Sequence, residues 1–219
     1  MCPSILNADR SNLASEIDRV AGASDLLHLD VMDNIFVPNL TFSLHQSEEI
    51  IASSSLPVDA HLMIADPDRD AVLYAKAGAV SVTFHLEAST SPSRTIEAIR
   101  SAGSRASLAV KPGTPFEQVE PFLDQIDMLL IMTVEPGFGG QSFMAQMMPK
   151  VRQAREAIDS LGRDIWLQVD GGISMETIAI AAKAGADAFV AGSAVYKAQS
   201  PGEMLQTLRI LATQASALE

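Results

Sequence analysis

Cysteine is almost absent from this chain of 219 residues, since Cys2 is the only one. No disulfide can form within the chain, and a reducing compartment is expected. Basic residues are also scarce: 15 Lys and Arg stand against 27 Asp and Glu, a formal net charge of −12. A chain this acidic is a poor ligand for the phosphate backbone of nucleic acids. Because 47% of the residues are apolar and only 19% are charged, intrinsic disorder is excluded as well.

Long hydrophobic segments are missing too. The longest apolar runs have about five residues, as at 128–132, whereas a membrane-spanning helix needs about 20. The first seven residues lack the basic region and apolar stretch of a targeting signal. We therefore expect a soluble, cytoplasmic protein with neither a membrane nor a nucleic acid as partner.

Short apolar runs alternate along the chain with longer segments of helical character. Eight runs are predicted to be β-strands: residues 2–6, 26–31, 58–63, 80–84, 106–110, 128–133, 165–169 and 188–191. Runs of this kind, apolar on both faces, are typical of parallel strands covered by helices.

A glycine lies just before the strand in many of these units. An Ala-Gly or Leu-Gly pair precedes a strand at five positions: Gly22, Gly78, Gly103, Gly162 and Gly185. Glycine suits the left-handed turn that ends a helix before the next strand. The implied unit of about 23 to 30 residues fits eight strand–loop–helix repeats. The prediction is an α/β fold in which residues 1–219 form a single (β/α)8 TIM barrel. A doubly wound open sheet is the alternative, although it usually has fewer strands.

Helix-start signals accompany several units. Asp9 or Ser11 is expected to cap the first helix, and Pro67 to lie in the first turn of the helix that contains Tyr74. Ser174 is expected to cap a helix over residues 175–183.

Four side chains of unusual type lie at predicted strand ends. They are His28 and Asp30 on the second strand, His61 on the third and Asp170 on the seventh. Functional groups of a barrel collect at the carboxyl ends of its strands, and the two-residue period points His28, Asp30 and Met32 the same way. Each residue alone has a structural interpretation, as a buried histidine or a helix cap. Together they are typical of a site for zinc, iron(II), manganese or cobalt.

Glycine-rich loops follow the last three strands. They occupy residues 135–141, 170–172 and 191–194. Barrels often bind phosphate near these strands through backbone N–H groups, which glycine leaves accessible. Tight loop geometry alone is the structural interpretation. Amide donors would nevertheless let a chain of charge −12 hold an anionic substrate.

Metal and phosphate together favour a phosphorylated sugar whose carbonyl lies near the ion. Two aspartates beside the ion then favour proton abstraction next to that carbonyl, with the ion stabilising an enediolate. One carboxylate on each face of the carbon would invert its configuration, which is epimerisation.

The residues that carry this chemistry belong to longer motifs. The motifs are Pro-Ser-Ile-Leu at 3–6, His-Leu-Asp-Val-Met-Asp at 28–33, Phe-Val-Pro-Asn-Leu-Thr-Phe at 36–42, Ala-His-Leu-Met-Ile at 60–64, Phe-His-Leu-Glu-Ala at 84–88, Met-Thr-Val-Glu-Pro-Gly-Phe-Gly-Gly-Gln at 132–141, Gln-Val-Asp-Gly-Gly-Ile at 168–173 and Val-Ala-Gly-Ser-Ala-Val-Tyr at 190–196. In this order and spacing, the chain resembles the ribulose-phosphate 3-epimerase family over almost its full length.

The resemblance implies a metal-dependent isomerase that interconverts D-ribulose 5-phosphate and D-xylulose 5-phosphate in pentose phosphate metabolism. It places one divalent ion on His28, Asp30, His61 and Asp170, with Asp30 and Asp170 as the acid/base pair. It also implies assembly into a homo-oligomer. The substrate contacts that it implies are Ser4, His61, Met32, Met63, Met132, Gly137, Phe138, Gly139, Gly140, Gly171, Gly172, Gly192 and Ser193.

The chain departs from the family pattern at 34–35. Asn34 replaces a glycine and is expected to keep a left-handed turn, while Ile35 replaces a histidine outside the four ligands. His85 is either a supporting residue beside the site or a structural one. Two other functions stay open: 3-epimerisation of a hexulose 6-phosphate such as allulose 6-phosphate, and a phosphosugar-binding barrel without catalysis.

Overall fold

Eight parallel strands curl into a nearly closed barrel in the computed structural model, which describes residues 1–217. The strands are β1 Cys2–Pro3, β2 Leu27–Met32, β3 Val58–Met63, β4 Ser81–His85, β5 Arg105–Val110, β6 Met128–Met132, β7 Trp166–Asp170 and β8 Ala188–Ala191. Each strand from β2 to β8 pairs with its neighbour in sequence, and β8 pairs with β1. A parallel bridge from Ser4 to His28 closes the remaining gap. The predicted (β/α)8 barrel is confirmed, and the open sheet is excluded.

Helices surround the barrel and connect its strands. They are α1 Leu13–Ala21, α2 Leu44–Ser53, α3 Pro67–Lys76, α4 Pro92–Ser101, α5 Met148–Leu161, α6 Ile178–Lys183, α7 Ser193–Tyr196 and α8 Pro201–Ser216. Pro67 opens α3 as predicted. None of the helices within residues 1–217 is long and apolar enough to cross a membrane.

The fifth unit departs from the predicted strand–loop–helix repeat. Two 3₁₀ turns, Phe116–Gln118 and Glu120–Gln125, connect β5 to β6 in place of an α-helix. Pro115 precedes the first turn and Pro121 lies in the second. Because proline has no backbone N–H and clashes with the preceding turn, prolines this close together prevent a regular helix.

Most strand bounds differ from the predicted ones by a residue or less, but β1 is shorter than predicted. The Ser4 hydroxyl accepts the Leu6 N–H at 3.2 Å and starts a 3₁₀ turn over Ile5–Asn7. Asp9 caps the next short turn, while Asn12 precedes α1 without a side-chain cap. The helix predicted from 175 starts only at Ile178, because Ser174 and Thr177 hydrogen-bond with each other and hold a turn.

Helix-ending glycines behave as predicted at four of the five positions. Gly78, Gly103, Gly162 and Gly185 have positive φ. Gly22 has φ −71°, so the expectation of a left-handed turn there was wrong. The Ser24 hydroxyl caps the carbonyl of Val20 at the end of α1, which removes the need for a left-handed residue.

The two faces of the strands carry different side chains. Leu27, Leu29 and Val31 of β2 pack in the hydrophobic core between barrel and helices, while His28 and Asp30 hydrogen-bond inside the barrel. Strands β3, β4, β5 and β7 add further fully or almost fully buried polar side chains: Asp59, His61, Ser81, Thr83, His85, Ser107 and Gln168. A barrel interior is usually filled by branched apolar residues. The polar filling here supports the functional groups above it.

Candidate active site

Four potential metal ligands meet at the carboxyl end of the barrel. Strands β2 and β3 are neighbours, and their register places Asp30 beside His61. Asp170 reaches the same point from β7, which is adjacent to neither of those strands. One ligand atom from each of His28, Asp30, His61 and Asp170 lies within 4.8 Å of all the others. The four predicted ligands therefore form one cluster.

The spacing of the ligand atoms fits a single small cation. His61 Nδ1 lies 3.0 Å from Asp30 Oδ1, 3.3 Å from His28 Nε2 and 3.7 Å from Asp170 Oδ2. His28 Nε2 lies 3.4 Å from Asp30 Oδ1. Ligands at about 2.1 Å from a tetrahedral ion are about 3.4 Å apart. Two imidazoles and two carboxylates also match the ligand preference of borderline divalent metals.

The two aspartates have opposite pKa shifts. Burial works to raise the pKa of Asp30, but His28 and His61 outweigh it and lower that pKa below its usual range. At Asp170, burial and the nearby charge of Asp30 raise the pKa to about 6. The site thus pairs one carboxylate that holds its charge with one that accepts a proton readily, the arrangement expected of an acid and a base.

Asp59 lies beneath His28 inside the barrel. Its Oδ2 contacts His28 Nδ1 at 3.0 Å and accepts a hydrogen bond from Gln168 Nε2 at 3.3 Å. Burial disfavours charge on His28, but the carboxylates of Asp30 and Asp59 raise its pKa well above the usual value. With Nδ1 directed to Asp59, His28 presents Nε2 to the cluster.

His85 lies on the other side of the cluster. Its Nε2 is 3.0 Å from His61 Nε2, and its Nδ1 is 3.2 Å from Glu87 Oε2. Burial lowers the pKa of His85 to about 4. At Glu87 burial opposes ionisation, but hydrogen bonds from His85 and Thr114 lower the pKa to about 2. His85 therefore lies between His61, one of the predicted metal ligands, and a carboxylate. This position favours the supporting role for His85.

Ser4 and three methionines surround the cluster from above. The Ser4 hydroxyl donates to Asp30 Oδ2 at 2.5 Å. Met32, Met63 and Met132 are buried and line the same cavity. Their thioethers give a polarizable, apolar lining over the carboxylates, which suits a planar, electron-rich group.

A cavity with Asp30 and Asp170 at its floor opens above the cluster. All but one of the predicted substrate contacts line it: Ser4, Met32, Met63, Met132, Gly137, Phe138, Gly139, Gly140, Gly171, Gly172, Gly192 and Ser193. His61 is the exception, since it is fully buried beneath the floor. No Lys or Arg lines the cavity within the described part of the chain. The assignment of these residues to substrate stays a prediction.

The glycines after β7 are held in conformations that other residues rarely adopt. Gly171 has φ 124° and Gly172 has φ 67°. A Cβ on Gly172 would lie 2.5 Å from the backbone nitrogen of Phe143, and one on Gly171 would lie 2.5 Å from a methyl of Val134. Only glycine fits both positions, so the chain packs closely around the rim of the cavity.

Pro136 and Gln141 of the predicted loop 135–141 also line the cavity. Further lining residues escaped the sequence analysis: Leu6, Asn7, Val134, Ile173 and Val190. The Asn7 side chain lies between two glycine loops, because its atoms come within 2.5 to 2.8 Å of a Cβ placed on Gly192 or Gly139. The available signal was spacing, since residues three apart share a face of a 3₁₀ turn and Asn7 follows Ser4 by three. Glu87 was also missed, although it lies in a quoted motif.

The departure at 34–35 affects only the rim. Asn34 has φ 60°, which confirms the predicted left-handed turn. Ile35 is exposed over 78% of its surface. Asp33 fixes the loop by accepting the N–H groups of Ile35 and Phe36. The side chain of Ile35 is thus outside the ligand cluster, as expected.

Comparison with known proteins gives a consistent result. The sequence model of the Ribulose-phosphate 3 epimerase family matches residues 1–196. "Ribulose-phosphate 3-epimerase" of Mycobacterium tuberculosis is 50% identical over 216 residues, covering 99% of this chain and 94% of the relative. "Ribulose-phosphate 3-epimerase, cytoplasmic isoform" of Oryza sativa subsp. japonica is 42% identical over 214 residues, covering 95% and 92%. A crystal structure of 3-hexulose-6-phosphate synthase superposes with a TM-score of 0.71 at 18% identity, covering 96% and 98%, which concerns the fold alone.

Proposed function

This chain belongs to the ribulose-phosphate 3-epimerase family, and we propose that His28, Asp30, His61 and Asp170 hold one divalent metal ion while Asp30 and Asp170 move the proton of carbon 3. The enzyme is an isomerase that interconverts D-ribulose 5-phosphate and D-xylulose 5-phosphate. The observation that carries the proposal is the convergence of the four ligand atoms within 4.8 Å at the floor of a glycine-rimmed cavity.

Proton transfer follows from the unequal aspartates. Ionised Asp30 removes the proton from carbon 3, and the electron pair of that C–H bond becomes the C2–C3 double bond of an enediolate. Protonated Asp170 then donates its proton to the opposite face of carbon 3, and the carbonyl at carbon 2 returns. Configuration at carbon 3 is inverted, and the aspartates have exchanged protonation states, so the reverse reaction uses the opposite roles. A bound divalent ion supplies positive charge that stabilises the enediolate oxygens.

The remaining residues orient the substrate. The Ser4 hydroxyl, 2.5 Å from Asp30, is positioned to contact the reacting end of the sugar. The methionines cover the planar intermediate with polarizable sulfur. Backbone N–H groups of the loops at 137–140, 171–172 and 192–193 bind the phosphate. Because amides do this without Lys or Arg, the acidic chain and its anionic substrate are compatible.

A coupled assay of the purified protein tests the proposal. Formation of D-xylulose 5-phosphate from D-ribulose 5-phosphate should stop with a chelator and return when zinc, iron(II), manganese or cobalt is added back singly. The same assay on allulose 6-phosphate should give much lower turnover. In deuterated water the product should carry deuterium at carbon 3. Folded protein that binds ribulose 5-phosphate but shows no turnover with any metal would leave only the binding function.

We also propose the finer assignments that accompany this activity. The ion is zinc, iron(II), manganese or cobalt, residues 1–219 form one catalytic domain, and the enzyme works as a homo-oligomer. A cytoplasmic location is supported by the cytoplasmic isoform among the relatives. Metal analysis of protein purified without chelators, light scattering and fractionation of cells test these assignments in turn.

A further inference from the structure

The two imidazoles of the proposed metal site present different nitrogens to it. His28 faces the cluster with Nε2, and His61 faces it with Nδ1. A neutral imidazole carries one N–H and one lone pair, so each ring binds a metal only if its proton sits on the nitrogen turned away. For His28, direct contact of the Asp59 carboxylate with Nδ1 fixes the proton on that nitrogen. For His61 the nitrogen turned away contacts another histidine, which by itself can either donate or accept.

We infer that Glu87, acting through His85, is a positioning residue that fixes the proton of His61 on Nε2 and so leaves Nδ1 free to bind the metal. The inference rests on the metal site of the proposed function. Neither Glu87 nor His85 is among the four ligands, and neither lines the cavity. Both act through His61 and not on the substrate.

Hydrogen-bond polarity carries the inference, beginning at Glu87. Its Oε1 accepts the backbone N–H of Lys111 at 2.7 Å and the hydroxyl of Thr114. Its Oε2 faces His85 Nδ1 at 3.2 Å. An ionised carboxylate only accepts hydrogen bonds. Glu87 therefore requires the proton of His85 to be on Nδ1.

The polarity continues through the two rings. With its proton on Nδ1, neutral His85 has a lone pair on Nε2, which lies 3.0 Å from His61 Nε2. Only a donor satisfies that contact, so His61 carries its proton on Nε2. When the metal is bound, the lone pair of Nδ1 is then directed to the ion, at the point where Asp30 Oδ1 and His28 Nε2 also converge, 3.0 and 3.3 Å from Nδ1. One carboxylate therefore sets the tautomers of two histidines.

Packing holds the relay in place. His85 is fully buried, and its ring centroid lies 5.1 Å from that of His61 and 4.9 Å from that of Phe36. The ring is enclosed between two neighbours and cannot turn away without moving them. The polarity set at Glu87 is thus transmitted over fixed contacts.

Glu87→Gln tests the inference because it reverses the polarity with almost no change in shape. The Gln carbonyl must face the two donors, Lys111 N–H and Thr114, which turns the amide NH₂ toward His85. His85 then moves its proton to Nε2, and His61 must place its own on Nδ1, where the metal would bind. Loss of an outer partner of this kind typically costs about 10- to 100-fold in metal affinity. We expect a loss of that size for zinc, measured by competition with a chromogenic chelator.

Two further variants make the result specific. Asp68→Asn neutralises another carboxylate that accepts several hydrogen bonds, from residues 89–95, and should lower stability while leaving zinc affinity within about twofold. In His85→Gln, the amide oxygen of Gln can accept a hydrogen bond from the Nε2–H of His61. Zinc affinity should therefore stay within about threefold of the wild type. Nitrogen-15 spectra of the zinc-loaded protein should place the His85 proton on Nδ1 in the wild type and off it in Glu87→Gln.

The outcomes separate this inference from the proposed function. Wild-type zinc affinity in Glu87→Gln, or a proton on His85 Nε2 in the zinc-loaded wild type, overturns the inference and leaves the metal site intact. A wild-type protein that takes up no zinc overturns the metal site itself and the inference with it. An equal loss of affinity in Asp68→Asn would show that any damaged carboxylate suffices and would also overturn the inference.

Discussion

Asp170 and Asp30 are the same residue type in one cluster, but their surroundings give them different chemistry. Asp30 contacts both imidazoles and Ser4, whereas Asp170 Oδ2 is 3.7 Å from His61 and 4.0 Å from His28. Burial and the charge of Asp30 raise the pKa of Asp170 to about 6, and the two more distant histidines do not reverse this. Assignment of acid and base therefore depends on distances of less than an ångström.

Asp170→Asn should abolish epimerisation while the fold is kept. The amide cannot take or give the carbon-3 proton, and general acid/base groups typically contribute about 10²- to 10⁴-fold in rate. We expect a fall in kcat of at least about 100-fold, with the circular dichroism spectrum unchanged. Asp164→Asn, at an exposed residue beyond the amino end of the same strand, is the control and should keep wild-type kcat. Near wild-type turnover in Asp170→Asn would contradict the two-aspartate mechanism.

Periodicity explains why some site residues were predictable and others were not. His28, Asp30 and His61 stand at alternate positions of strong strands, so their meeting inside the barrel followed from the two-residue period. Asn7 reaches the cavity only because β1 ends early in a 3₁₀ turn, and Glu87 reaches His85 through a 3₁₀ turn after β4. The sequence does not show that either segment forms a 3₁₀ turn, so the spacing of Ser4 and Asn7 could be interpreted only once the structure was known. The clustering of the proposed ligands was thus predictable, and the positions of Asn7 and Glu87 were not.

At the scale of elements, α3 and α4 are joined by one carboxylate. Asp68, in the first turn of α3, accepts the Thr90 N–H at 2.8 Å, the Thr95 hydroxyl at 2.7 Å and the Ser91 N–H at 3.1 Å. Burial opposes the charge of Asp68, but these donors and the Ser89 hydroxyl lower its pKa to about 2. The start of α4 is therefore fixed to the start of α3, next to the chain segment that contains Glu87.

Asp68→Asn should destabilise the protein in a pH-dependent manner. Since the pKa of Asp68 is about 2 in the folded state and about 3.9 unfolded, its charge stabilises the fold above about pH 4 and stops doing so as the pH falls toward 2. Urea unfolding should show a loss of about 1 to 2 kcal/mol at pH 7, and a smaller one at pH 3. Asp124→Asn, at an exposed position, should change stability little at either pH. If the stability difference between the wild type and Asp68→Asn were larger at pH 3 than at pH 7, the charge of Asp68 would not be the stabilising factor.

The bounds of strands and helices follow the predicted repeat in some places and depart from it in others. Alternating apolar runs predicted β3 and β8 to the residue, because both are continuous apolar or inward-polar segments with clear ends. The link from β5 to β6 failed to become a helix because Pro115 and Pro121 interrupt it. Gly22 avoided a left-handed turn because Ser24 caps Val20. At the β5–β6 link and at Gly22, one or two side chains outweighed the periodic pattern.

At the scale of the whole molecule, the negative net charge of the chain is compatible with an anionic substrate. A net charge of −12 would repel a phosphosugar, yet the cavity is lined by glycines, methionines and two aspartates that a divalent ion would neutralise. In the proposed function, backbone amides of the glycine loops bind the phosphate. The net charge of the whole chain therefore does not decide what the cavity binds.

Metal removal should lower the stability of the entire barrel. The four ligands come from β2, β3 and β7, so an ion bound by the folded state alone links strands distant in sequence. Free metal at 100 times its Kd stabilises the folded state by about 2.7 kcal/mol, which for a domain of this size corresponds to about 5 to 10 °C in Tm. Thermal unfolding with and without chelator should show a decrease of that order, reversed by added zinc.

Two histidine variants identify the origin of that decrease. His28→Gln removes a ligand and should make Tm insensitive to chelator and to zinc. His45→Gln changes the same residue type on α2, where the side chain is 80% exposed, and should keep the full response of the wild type. The change of Tm with chelator should therefore depend on His28 and not on His45, because only His28 is a proposed ligand of the ion. An equal response in both variants would place the stabilising metal somewhere other than the floor of the cavity.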